Sequence, residues 1–187
     1  MKTDARVRYT KMVIKDSFVK LLVEKPLTKV TVKEICELAE INRATFYKYY
    51  CDPYDLLDKI EQEFLDELEN NVSQSIDKGF PETLTFILVS IKSEGELYKT
   101  LFSENGDPHF PTLIFSSCYK KYVAMENDER FQKLKPSEQK WLFYFIAQGC
   151  SGILSQWIEN GMKEPINEVT ICEKIGVCNL TVLLQIV

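Results

Sequence analysis

Thr31-Val-Lys-Glu-Ile-Cys-Glu-Leu-Ala-Glu-Ile-Asn-Arg-Ala-Thr-Phe-Tyr-Lys-Tyr-Tyr50 is the stretch on which the reading of this chain turns. Thr31 followed three residues later by Glu34 forms a capping box, in which the hydroxyl accepts from a first-turn amide and the carboxylate reaches back to the cap. Val32, Ile35, Cys36 and Ala39 then fall on one helical face, so a short helix follows. Only Glu40-Ile-Asn42 intervene before Arg43, and Asn42 is a good N-cap for a further helix over 43–50. Two short helices joined by so brief a turn form a helix-turn-helix, spanning about 31–50. Phe46 and Tyr50, at i and i+4, face inward, which leaves Arg43, Thr45, Tyr47, Lys48 and Tyr49 partly or wholly outward.

The flanking residues supply the support. Ile14, Phe18, Leu21 and Leu22 make one apolar stripe on a helix over about 7–24, and Lys25-Pro-Leu27 stops it. Asp52-Pro53 pairs an N-cap with proline at the first helical position, and Leu57, Ile60, Phe64 and Leu68 mark a fourth helix to about residue 70. Beyond it the pattern is again helical, with expected helices at about 80–92, 94–104, 110–128, 136–160 and 166–187. Breaks fall at Gly79-Phe-Pro81, Asn105-Gly-Asp-Pro108, Pro136 and Asn160-Gly161. The expected fold is all-α: an N-terminal three-helix helix-turn-helix unit over 1–70 and a helical regulatory and dimerisation domain over 71–187.

Trp141 to Ile158 carries no charge over 18 residues, near the lower length for crossing a bilayer. Gln148, Gly149, Ser151, Gly152, Ser155 and Gln156 dilute its apolar character, so no membrane span is expected. A helix uncharged on every face must be covered on every face, and a second copy of the chain can do this. The expected dimer surface comprises Trp141, Phe145, Gln148, Gly149, Gly152 and Gln156, with Leu180 and Leu184 from the last helix. Two such hairpins would form a four-helix bundle.

The 187 residues carry a net charge of −5, which taken whole argues against a polyanion partner. Its distribution reverses that inference. Residues 1–50 hold 11 Lys/Arg against 6 acids, or +5, and the remainder holds 12 against 22, or −10. A basic face beside a compact helix-turn-helix suits phosphate neutralisation. The charged N-terminus lacks an apolar signal core, so a cytoplasmic, reducing compartment is expected, with the six cysteines acting as small buried hydrophobes. The enzyme reading fares badly. There is one histidine, His109, in a turn suited to a cap or a pocket rim, and no nucleophile elbow, Walker, dinucleotide or zinc pattern, so neither a cofactor nor a metal is expected.

The Thr31–Tyr50 stretch with Tyr54-Asp-Leu-Leu57 resembles the DNA-binding domain of the TetR family of bacterial transcriptional regulators, over about residues 8–68. More loosely, Leu101-Phe-Ser-Glu-Asn-Gly-Asp-Pro-His-Phe110 and Trp157-Ile-Glu-Asn-Gly-Met162 resemble segments of a Firmicutes-type TetR C-terminal domain. The resemblance implies a homodimer on a palindromic double-stranded operator, usually a repressor released by a small-molecule effector, with a protein co-regulator replacing the effector in some members. It places Lys33, Arg43, Ala44 and Thr45 at bases or nearby phosphates, and Thr31, Tyr47, Lys48 and Tyr49 on the phosphate side, with Asn42 in the same surface.

Two positions depart from the family pattern. Glu40 stands where glycine is common, so the turn either uses another geometry or holds a left-handed non-glycine residue at roughly 1–2 kcal/mol. Pro53 stands where a phosphate-contacting lysine is common. Together they motivate the alternative of a dimeric helical protein-interaction module that has lost operator binding. Phe86, Phe102, Phe110, Phe115, Tyr119, Tyr122, Trp141 and Tyr144, with His109, form the expected effector region, although aromatic residues at helical spacing also read as plain core.

Overall fold

The computed structural model describes residues 5–75, 80–125 and 134–170 of the chain. Helix α1, Ala5–Glu24, buries Ile14, Phe18 and Leu22 completely, as the stripe requires, while Leu21 is half-buried at its margin. A single 3₁₀ turn, Leu27–Lys29, redirects the chain into α2, Val32–Leu38. Helix α3, Arg43–Phe46, follows. It is shorter than the expected 43–50 because the ladder tightens: Tyr49 N–H donates to Phe46 O at 2.9 Å, and residues 47–49 continue as turns to Tyr50. Phe46 and Tyr50 are buried with their rings 5.6 Å apart.

Helix α4, Pro53–Ser75, starts where Asp52 Oδ1 accepts from Asp55 N–H at 2.9 Å. It contributes Leu56, Leu57, Ile60, Phe64 and Leu68 to buried positions. Then come α5, Phe80–Ser93, α6, Gly95–Leu101, α7, Phe110–Met125, and α8, Pro136–Glu159, with a helical turn at residues 166–170. Among the described residues there is no strand. Helix α6 ends at Leu101 rather than at 104, because the Leu101 carbonyl accepts from Asp107 N–H at 2.8 Å in a tight turn. A Cβ at Gly106 would lie 2.3 Å from that carbonyl oxygen, so only glycine fits there. The ends of the expected 110–128 and 166–187 helices, with Leu180 and Leu184, lie outside the described residues.

The chain divides into two compact units, residues 1–64 with 100–108, and residues 65–99 with 109–187. In the first, α1, α2, α3 and the start of α4 enclose Phe18, Ile35 and Phe46. Burying each such side chain stabilises the unit by roughly 1.5–3 kcal/mol. Asn105 belongs to this unit and fastens it: its Nδ2 donates to Leu22 O at 2.9 Å and its carbonyl accepts from Leu27 N–H at 3.0 Å. In the second, α7 packs on α8, with Ile87, Leu88, Phe110, Phe115 and Leu154 buried. Trp157 Nε1 donates to Glu164 O at 3.0 Å, which fixes the chain leaving α8. Among the described residues no helix is long and apolar enough to cross a membrane.

Of the cysteines expected in the core, Cys36 and Cys150 are buried, but Cys51 is exposed. It occupies the turn before α4, where its backbone N–H donates to Asp55 Oδ2 at 2.8 Å.

Candidate nucleic-acid interface

The capping box forms as its spacing requires. Glu34 N–H donates to Thr31 Oγ1 at 3.3 Å, and Thr31 N–H donates to Glu34 Oε2 at 3.1 Å. Lys25 Nζ donates to Glu34 Oε1, and its hydrogen bond, with those from Thr31, holds the Glu34 carboxyl down at about 2. Asn42 caps α3, its Oδ1 accepting from Thr45 N–H at 2.8 Å and from Thr45 Oγ1 at 3.0 Å. The cap therefore also fixes the threonine rotamer. Lys59 Nζ donates to Tyr49 O at 2.8 Å and to Asp55 Oδ2 at 2.9 Å, tying the end of the α3 segment to α4. That grip and the Cys51 backbone bond keep Asp55 below the usual carboxylate range.

These bonds leave one face outward. Thr31, Lys33, Asn42, Arg43, Ala44, Tyr47 and Lys48 are exposed, and Thr45 and Tyr49 are half-buried. Lys33 pairs with Glu37 one turn on, at 3.7 Å, an exposed pair of little strength. A polar groove of about 490 Å³ joins Asn42, Thr45, Lys48 and Tyr49 to Arg6, Val7 and Thr10 of α1, with Glu40 and Ile41 completing its wall. The spacing that points to the helix-turn-helix does not reach Arg6 and Thr10; Arg6 belongs to the basic N-terminal half, and only the packing of α1 brings it beside α3.

Both departures have a structural form. Glu40 is left-handed, with φ 53, so the second of the two turn geometries is the one adopted. Pro53 is buried at the first position of α4, where its missing N–H leaves no donor unsatisfied.

In the second unit the expected dimer residues Trp141, Phe145, Gln148, Gly149, Gly152 and Gln156 are all exposed along α8. Trp141 is 70% and Phe145 64% exposed. An open apolar groove of about 550 Å³ is lined by Gln148, Gly149, Gly152, Ile153, Gln156 and Trp157, and residues 160–169 contribute its far end. A Cβ at Gly149 or Gly152 would meet nothing within 4 Å among the described residues, so their packing does not require glycine at either.

The aromatic residues expected around an effector fall in both units: Phe102 in the first, and Phe86, Phe110 and Phe115 in the second. Phe110 and Phe115 are buried, Phe86 is half-buried, and His109, Trp141 and Tyr144 are exposed. The side chains of Tyr119 and Tyr122 lie outside the described residues. No group of three His, Cys, Asp or Glu among the described residues is placed to hold a metal ion.

Comparison with known proteins bears on this arrangement. A TetR-type family model described as a transcriptional regulator C-terminal region matches residues 78–171. A Bacillus subtilis (strain 168) protein described as the uncharacterized HTH-type transcriptional regulator YxbF is 25% identical over 168 residues, 87% of this chain. The chain spans 43% of that relative's length. Among solved structures, a TetR transcriptional regulator from Streptococcus agalactiae 2603V superposes with a TM-score of 0.65 at 24% identity, covering 92% of this chain and 96% of its own. The fatty acid degradation regulator FadR from Bacillus halodurans gives 0.67 at 15%, covering 94% and 96%. The dihydroxyacetone kinase operon activator DhaS gives 0.62 at 21%, covering 95% and 97%. At these identities the structures establish the shared all-α fold. With the family model spanning half of its length and a helix-turn-helix at its N-terminus, the chain belongs to the TetR family of transcriptional regulators.

Proposed function

We propose that this protein binds a palindromic operator as a homodimer and represses transcription until an effector releases it. The observation that carries the reading is the face of α3: two caps and the Lys59 clamp hold Arg43, Ala44, Tyr47 and Lys48 outward beside a groove containing Arg6. Arg43, at the start of the helix, offers a bidentate fork to guanine, and Ala44 and the Thr45 methyl suit contact with thymine. Thr31, Lys33, Tyr47, Lys48 and Tyr49 position the helix on phosphates, with Arg6 and Thr10 extending that grip.

A dimer places two such helices in successive major grooves about 34–36 Å apart. The stripe on α8 supports a second copy as the covering surface, since Trp141 and Phe145 are left exposed by the described residues and Gly149 and Gly152 let a helix approach closely. Helix α4 runs unbroken from Pro53 in the first unit to Ser75 in the second, and is the natural lever by which an effector, a small molecule or a protein co-regulator, shifts the spacing.

The test is selection of duplexes from a random pool followed by gel shifts. Wild-type protein selects a palindrome, and the double variant Arg43→Ala, Tyr47→Ala loses at least about 100-fold in affinity for it. Undiminished binding by that variant overturns the assignment of the reading surface. A reporter fused to the selected operator gives the sign of regulation: expression that rises when the gene is deleted marks repression, and expression that falls overturns it.

A further inference from the structure

Two helices of this chain end in the same hydrogen-bond pattern. At the end of α2, Ile41 N–H donates to Cys36 O at 3.0 Å and Glu40 N–H to Glu37 O at 3.4 Å. At the end of α8, Met162 N–H donates to Trp157 O at 2.8 Å and Gly161 N–H to Ile158 O at 2.9 Å. Both are Schellman motifs, which need a left-handed residue immediately after the cap. At α8 that residue is Gly161, with φ 78; at α2 it is Glu40, with φ 53. Glycine adopts this conformation freely, whereas an L side chain does so against steric resistance. The α8 motif also holds a left-handed L residue, Met162 with φ 54, so what sets Glu40 apart is where it stands rather than its strain.

Glu40 lines the groove that also contains Arg6 and Lys48. Glu40 is the acidic residue among those lining it; the other lining residues are Val7, Thr10, Ile41, Asn42, Thr45 and Tyr49. We propose that Glu40 sets the affinity of the DNA interface, its carboxylate competing with backbone phosphate for Arg6 and Lys48 so that the electrostatic share of binding is held down. This rests on the DNA-binding reading above. A phosphate entering the groove meets two cations offset by one anion rather than two cations alone. In an exposed groove the effect is screened, so it is strongest at low salt and fades as the Debye length shrinks to about 8 Å at physiological ionic strength. The binding energy that remains at cellular salt then comes more from base contacts, which carry sequence, and less from phosphates, which do not.

Glu40→Gln removes the charge and keeps the strained side chain; Glu40→Gly removes both. Binding of wild type, both variants and Lys48→Ala to a random-sequence 24-base-pair duplex is measured by fluorescence anisotropy between about 50 and 200 mM salt. Circular dichroism confirms that each is folded. Both Glu40 variants bind about 3–10-fold more tightly at the lowest salt and steepen the plot of log affinity against log salt by just under one unit, while Lys48→Ala moves both quantities the other way. Unchanged affinity and slope in Glu40→Gln overturns the proposal, as does weaker binding, which would make the carboxylate a direct ligand of DNA or a support for Arg6. Tightening in Glu40→Gly alone also overturns it, by assigning the effect to the backbone. In each of these cases the salt-dependent binding of wild type still upholds the DNA-binding reading. A folded wild-type protein that binds no duplex at any salt overturns both.

Discussion

The α2-turn-α3 segment and the outer face of α8 handle their exposed groups in opposite ways. In the first, Thr31 and Glu34 satisfy one another, Asn42 satisfies Thr45, and Glu40 and Ile41 return their N–H groups to α2. Every one of those bonds spans five residues or fewer. In the second, Trp141 and Phe145 are exposed, and no described residue comes within 4 Å of a Cβ built at Gly149 or Gly152. One surface is finished by local hydrogen bonds and left polar for a polyanion. The other is apolar and is left open by the described residues. A large exposed apolar stripe on a folded unit marks an interaction surface, whereas capped helix ends with outward cations mark a pre-organised one.

Breaking the local side has the largest effect. Phe46 is fully buried and joins α3 to the core, so Phe46→Ala lowers the stability of the first unit by about 3–5 kcal/mol in urea titration and abolishes DNA binding with it. Breaking the α8 side leaves the fold intact. Gly152→Arg places a charged side chain where a Cβ meets nothing, so helix content is retained while light scattering reports a monomer. Operator affinity then falls by about 100-fold or more, as the second half-site no longer adds to the first.

Two glutamates in the first unit sharpen the contrast between local and distant partners. Glu34, held by Lys25 and Thr31, has its carboxyl lowered to about 2, so its contribution is present above the unfolded value of 4.5 and is lost as pH falls from 4.5 towards 2. Glu61, buried in α4 with Oε1 unpartnered, is pushed up to about 8 by burial and then by Asp107 and Asp58. The folded state therefore keeps a proton that the unfolded state has released, and stability declines as pH rises from about 4.5 to about 8. Glu61→Gln removes that slope and raises stability at pH 8 by roughly 2 kcal/mol, read from thermal melts across that range. The smallest expected effect is Thr31→Ala, which removes the α2 cap and costs about 1 kcal/mol in the same melts.

The helix-turn-helix was legible because its signals are close neighbours. Thr31 with Glu34, Asn42 before Arg43, and Phe46 with Tyr50 each specify a bond or a face within one helical turn, and all three form as their spacing requires. The helix ends were less legible, since α3 and α6 stop where Phe46 and Leu101 carbonyls accept turn bonds that no local pattern announces. Of the candidate site, the outward face of α3 was readable and its companion on α1 was not. Arg6 and Thr10 share a groove with Asn42 and Lys48 because Ile14, Phe18 and Leu22 pack α1 into the same core.

By itself, then, the sequence determined the all-α class, the capped reading helix and the uncharged run in α8. Capping, periodicity and charge act over a few residues and are written in order along the chain. The tertiary structure decided that Asn105 bonds to Leu22 and Leu27, that Glu61 loses its solvent, and that Glu40 shares a groove with Arg6 and Lys48. These depend on which distant segments exclude water from one another, and burial of that kind is a property of the packed chain rather than of any window within it.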